Sequence, residues 1–144
     1  MVNSSYPCTA EEKVINKESR EEKAWAGCLD GNGDEWWKYL EVDFMKNRET
    51  GDEIPVITKE TIWSCRCIDV GTITYNPGPG TMLIALNNGW KLKDTKEPVK
   101  IQGYDNLPVD TPSPGLFKTY KGSETIVGVG HFRYFAIHID IEHS

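Results

Sequence analysis

The chain has 144 residues, of which 38% are apolar, 26% charged and 10% aromatic. That is the size and composition of one globular domain, and it excludes a disordered, collagenous or low-complexity chain. The net charge is −6; residues 1–53 carry all of it, with 13 acidic and 7 basic side chains, and residues 54–144 hold nine of each. An acidic chain without a basic cluster has no electrostatic hold on phosphate backbones or anionic lipid, so neither nucleic acid nor a membrane surface is an expected partner. No apolar run approaches the roughly 18 residues of a membrane-spanning helix.

Thr9-Ala10-Glu11-Glu12 has the form of a capping box, and helix-forming Glu, Lys, Arg and Ala follow up to Gly27. This predicts a surface helix over 9–26 with a thin apolar face of Val14, Ile15, Ala24 and Trp25. Cys28–Glu35 is a turn-rich loop. Asp30, Asn32, Asp34 and Glu41 have part of the spacing of a calcium loop, but Glu35 stands where the sharp turn needs Gly, so an EF-hand is not expected. Trp36–Asn47 matches helix and strand templates about equally; it reads as a strand from Tyr39, with a hairpin turn at Arg48–Asp52.

Beyond residue 53 the pattern is β. Val56–Cys67 and Ile68–Tyr75 are rich in Ile, Val, Thr and Trp, and Asn76–Gly80 must break regular structure. Met82–Leu86 is all apolar, the pattern of a strand covered on both faces. Asn87-Asn88-Gly89 predicts a primed hairpin turn returning antiparallel through Trp90–Lys93. Val99–Tyr104, Leu116–Tyr120, Thr125–Val129 and Phe132–Glu142 read as further strands, with a loop containing three prolines at Leu107–Gly115. Short strands at close spacing argue for an antiparallel β-barrel of about eight strands with one N-terminal helix, in a single domain over residues 1–144; a β-sandwich or jelly roll is the alternative. The barrel is lipocalin-like in architecture only. The Gly-x-Trp start signature of lipocalins is absent, since Trp25-Ala26-Gly27 runs in the reverse order.

The four cysteines are Cys8, Cys28, Cys65 and Cys67. On a strand Cys65 and Cys67 share one face about 6.5–7 Å apart with parallel vectors, so they are expected to reach Cys8 and Cys28 rather than each other. Two such bridges and the Asn3-Ser4-Ser5 glycosylation triplet suit a secreted chain. Val-Asn-Ser-Ser-Tyr-Pro after Met1 does not read as a signal peptide, so a secreted chain would have lost its own; four reduced thiols in a cytoplasmic protein are the alternative.

The last strand alternates Phe135, Ile137, Ile139 and Ile141 against Tyr134, Ala136, His138, Asp140 and Glu142. If the second face meets a cavity, Asp140 can orient His138 for proton transfer with Tyr134 beside them, which gives a cofactor-independent isomerase, cyclase or lyase. Glu41 and Asp43 are a second carboxylate pair on one strand face, the residue type glycosidases use. No P-loop, nucleophile elbow, zinc signature or dinucleotide fingerprint occurs, and no metal or cofactor is expected.

Aromatic residues are the main positive signal, with five Trp, six Tyr and four Phe. They suit a closed apolar cavity or an exposed platform for sugar rings. The leading expectation is a secreted carrier of a small hydrophobic or aromatic molecule, with Trp63, Trp90 and Phe135 as cavity walls and Trp36 and Trp37 at the rim. The alternatives are the enzyme built on His138, Asp140 and Tyr134, and a jelly-roll lectin presenting Trp36 and Trp37.

Overall fold

The computed structural model describes residues 21–26, 28–29, 38–64, 68–109 and 113–143. Its strands are β1 (Glu21–Ala26), β2 (Cys28–Leu29), β3 (Lys38–Glu41), β4 (Phe44–Lys46), β5 (Glu53–Pro55), β6 (Thr58–Ser64), β7 (Asp69–Asn76), β8 (Thr81–Leu86), β9 (Trp90–Leu92), β10 (Val99–Tyr104), β11 (Tyr120–Gly122), β12 (Ile126–Gly128) and β13 (Tyr134–His143). Eight of them, in the order β11-β10-β13-β1-β6-β7-β8-β12, form an antiparallel wall curled into a nearly closed barrel. The seam lies between β11 and β12, which end that path and are neighbours in sequence. Among the described residues no helix is long and apolar enough to cross a membrane.

β13 organises the barrel. Ten residues long, it pairs β10 over Tyr134–Ile139 and β9 over Ile141–His143 on one edge, and β3 then β1 on the other. Its alternation sends Phe135, Ile137, Ile139 and Ile141 inward, all fully buried, as the sequence pattern predicts. There they pack with Ile62, Val70, Ile73, Tyr75, Met82, Ile84, Val99 and Ile101 from the surrounding strands. An all-apolar face on a central strand is therefore the barrel core, and burial of each such side chain contributes on the order of 1.5–3 kcal/mol.

The helix expected over 9–26 is corrected for its last six residues, which are strand β1; residues 9–20 lie outside the described part. Good helix propensity is overridden by pairing: Lys23, Ala24 and Trp25 stand opposite Asp140, Ile139 and His138 of β13, and Ala24–Ala26 also pair β6. Ala24 and Ala26, both fully buried, face the bulky isoleucines of β13 and β6 where a larger residue would not pack.

Two further expectations change. The Asn87–Gly89 turn forms, with the Trp90 N–H donating to the Asn87 carbonyl, but β9 pairs β13 instead of returning along β8. It takes the edge of β13 that lies beyond the start of β10. β8 is covered on one face only: Met82 and Ile84 are buried, and Leu83 is 46% exposed beside Ile126 of β12. The ambiguous Trp36–Asn47 segment is β3 and β4 where it is described, and Arg48–Asp52 is the turn of the β4–β5 hairpin. The Asn47 side-chain oxygen fastens that turn by accepting from the N–H groups of Glu49 and Thr50 at 2.8 and 3.2 Å.

Candidate functional site

One end of the barrel gathers the start of β13, the ends of β3, β7 and β10, and the starts of β6 and β8. The β4–β5 hairpin departs from this end and is anchored there. Asp43 N–H donates to the Thr58 hydroxyl at 2.8 Å, Val56 N–H to the Asp43 carbonyl, and Val42 N–H to the Arg133 carbonyl. These bonds leave an open concavity of about 240 Å³ lined by Phe44, Pro55, Tyr75, Asp105, His131, Phe132 and Arg133.

Its floor is aromatic. Phe135, deep in the core, touches Tyr75 with ring centroids 4.9 Å apart, and Phe132 stands edge-on to Phe135 at 5.7 Å. Phe132 can lie there because residue 103 is glycine: a Cβ at Gly103 would collide with the Phe132 ring. The Tyr75 hydroxyl donates to the Gly130 carbonyl at 2.9 Å, and burial pushes its phenol above the ordinary tyrosine value. Gly80, at φ +71°, turns its carbonyl to accept from both Val129 and Gly130, which ties the 130–133 approach to the β7–β8 turn.

The polar groups sit on the rim. The Arg133 guanidinium lies over the Phe44 ring, 4.9 Å from its centroid. His131 Nε2 is 2.8 Å from the Pro77 carbonyl; a carbonyl only accepts, so Nε2 carries the proton and Nδ1 is left to face elsewhere. Asp105 contributes a carboxylate.

The expected site residues divide among several places. Phe135 is the floor of this aromatic group. Trp90 is at the opposite end of the barrel, packed on the core and edge-on to His143 at 4.8 Å. Trp63 is half-buried opposite Trp25 in the β1–β6 register, so it shares the outer face of the wall rather than the interior. Trp36, Trp37 and the Asp30–Glu35 loop lie outside the described residues, as do Cys8, Cys65, Cys67 and the side chain of Cys28.

Tyr134, His138 and Asp140 are on the outer face of β13, not on the lumen side with Phe135. His138 is only 6% exposed, under the edge of Trp25, and its buried Nδ1 has no hydrogen-bond partner among the described residues. Desolvation pushes the imidazole down to about 4, with Asp140 opposing the shift and Lys23 and Lys100 adding to it. Tyr134, four residues away along the strand, is about 13 Å distant at strand rise and packs edge-on with Tyr39 instead. His138 and Asp140 are thus neighbours, and Tyr134 is out of reach of any atom they share. The chain around Phe117 folds over this outer face, where Phe117, Trp25 and Ala136 form a second small cluster with Tyr39 and Tyr104.

A second concavity, of about 320 Å³, is lined by Glu21, Glu22, Lys23, Lys93 and Asp140. Its charges answer one another, as Lys93 Nζ is 2.9 Å from Glu21 and Lys23 is opposite Asp140. Among the described residues no group of three His, Cys, Asp or Glu side chains is placed to hold a metal ion. Glu41 and Asp43 are both exposed and flank the buried Val42.

Sequence reasoning missed Phe44, Tyr75, Asp105, His131, Phe132 and Arg133 as one group. The available signal was His131-Phe132-Arg133 immediately before an apolar strand, which puts a ring and a cation at the rim of whatever that strand lines. No family model, curated protein or solved structure matches this chain.

Proposed function

We propose that the protein carries a small aromatic molecule, held in the mouth of the barrel and not in its interior. The observation that carries this reading is the concavity itself: three aromatic residues, Phe44, Tyr75 and Phe132, with a guanidinium at its edge, opening directly onto the core. Aromatic rings favour offset or edge-to-face partners at 4.5–7 Å, and such pairs add about 0.5–1.5 kcal/mol beyond the area they bury. The inward side chains of β13 and its neighbours pack against one another, which favours a ligand above them over one among them.

Ligand-observed NMR with benzyl alcohol as the probe tests this. Phe44→Ala combined with Phe132→Ala is expected to weaken binding about tenfold, from the loss of two ring contacts. Unchanged binding in the double variant, with the β-sheet circular dichroism intact, removes the mouth as the site.

A further inference from the structure

Resting on that reading of the mouth, we infer that its ligand is amphoteric: a single aromatic ring bearing both an anionic group and an ammonium group, the chemistry of an aromatic α-amino acid. Three features of the rim converge on this class. The first is Arg133. Its guanidinium face is stacked on Phe44, and among the described residues its side chain makes no ion pair or hydrogen bond. A stacked guanidinium keeps its edge N–H donors free in a planar fork, the geometry that takes a carboxylate with two parallel bonds.

The second is Asp105. It lines the same concavity, is exposed, and among the described residues makes no ion pair. Arg133 and Asp105 therefore border one opening without neutralising each other. Elsewhere this protein does pair such groups, as in Lys93–Glu21 at 2.9 Å. A ligand with charges of both signs satisfies both rim groups; a simple anion meets Asp105 as a repelling neighbour, and a simple cation meets Arg133 in the same way.

The third is size. About 240 Å³ lies below the roughly 300–1,000 Å³ of sites for drug-sized ligands, and one ring with a short polar arm suits it where a fused polycycle does not. The ring goes to Phe44, Tyr75 and Phe132, and the charged groups remain at the rim, where water is available to them.

Titration calorimetry with four single-ring probes decides the matter: L-phenylalanine, 3-phenylpropionate, 2-phenylethylamine and 2-phenylethanol. Phenylalanine is expected to bind about tenfold more tightly than either singly charged probe, the worth of one charge-assisted contact at a partly exposed site. Arg133→Gln is expected to bring phenylalanine to the level of the amine and leave the amine unweakened; Asp105→Asn is expected to bring it to the level of the acid. Equal binding of all four probes overturns the amphoteric assignment and leaves the aromatic site standing. Tighter binding of phenylpropionate than phenylalanine overturns the role of Asp105, and with it the assignment. No binding by any of the four overturns the aromatic site as well.

Discussion

The indole of Trp25 meets the imidazole of His138 edge-on, with ring centroids 4.8 Å apart, across the β1–β13 pairing that sets the two residues directly opposite. This contact buries a titratable group on the outside of a barrel. Desolvation is the main influence that disfavours a positive imidazole; Asp140 favours it, and Lys23 and Lys100, the latter opposite His138 on the other flank, disfavour it.

The folded protein therefore holds His138 neutral down to about pH 4, whereas the unfolded chain takes up the proton near 6.5. Above 6.5 both states are neutral and the stability is fully present. As the pH falls from 6.5 toward 4 the unfolded state binds the extra proton, and stability declines by up to about 3 kcal/mol. Urea unfolding followed by tryptophan fluorescence at pH 7.5, 6.5, 5.5 and 5.0 measures the slope, with about 2 kcal/mol lost between 7.5 and 5.0. His138→Phe is expected to flatten it. An equally steep decline in that variant would assign the acid sensitivity to another group.

Gly103 and Phe132 make a second prediction. The Phe132 ring occupies the place a side chain at 103 would need, so Gly103→Ala forces the ring toward solvent or bends β10. The expected cost is about 1–3 kcal/mol, as for overpacking elsewhere. Because the displaced ring is part of the barrel mouth, affinity for benzyl alcohol is expected to fall in the same variant. A stable Gly103→Ala protein with full affinity would show that Phe132 has room to spare.

What the sequence made legible was whatever local alternation controls. Residues 134–142 announced both faces of β13 because large apolar residues recur at every second position, with polar residues and Ala136 between them, and a strand must send the two sets to opposite sides. Asn76–Gly80 and Arg48–Asp52 announced their turns through residue type. Glu21–Ala26 was illegible because its own preference is helical and the deciding pairs, with residues 138–142 and 62–64, are remote. The mouth was illegible for the same reason. Phe44, Tyr75, Asp105 and Arg133 come from four separate segments, and no spacing rule connects them. Trp63 took the outer face of the wall and Trp90 the other end of the barrel, because aromatic content specifies neither the face nor the end that a ring will occupy.

Tyr75 gives a narrower test. Its ring is 1% exposed, and its hydroxyl closes onto the Gly130 carbonyl in the segment leading to His131. Tyr75→Phe keeps the ring and deletes one hydrogen bond, so the expected loss is about 1 kcal/mol. Hydrogen exchange locates it: the amides of Val129 and Gly130, both bonded to the Gly80 carbonyl, are expected to exchange faster while those of β13 do not. Uniform acceleration across the barrel would mean that the bond supports global stability instead of this loop.

The barrel wall can be tested by comparing two aliphatic residues that composition treats alike. Ile139 is fully buried between Ala24 of β1 and Val99 of β10, and it packs into the shared core. Leu83 of β8 is 46% exposed on the outer face, next to the 67% exposed Ile126. Ile139→Ala removes contacts on every side and leaves a cavity the surrounding strands cannot close, so a loss of about 2–5 kcal/mol is expected in urea unfolding. Leu83→Ala removes a side chain that water already reaches, and a change within about 0.5 kcal/mol is expected. The contrast depends on which face of the wall is inside. If Leu83→Ala proved the costlier of the two, β8 would have to be turned over, and the order of strands around the barrel would go with it.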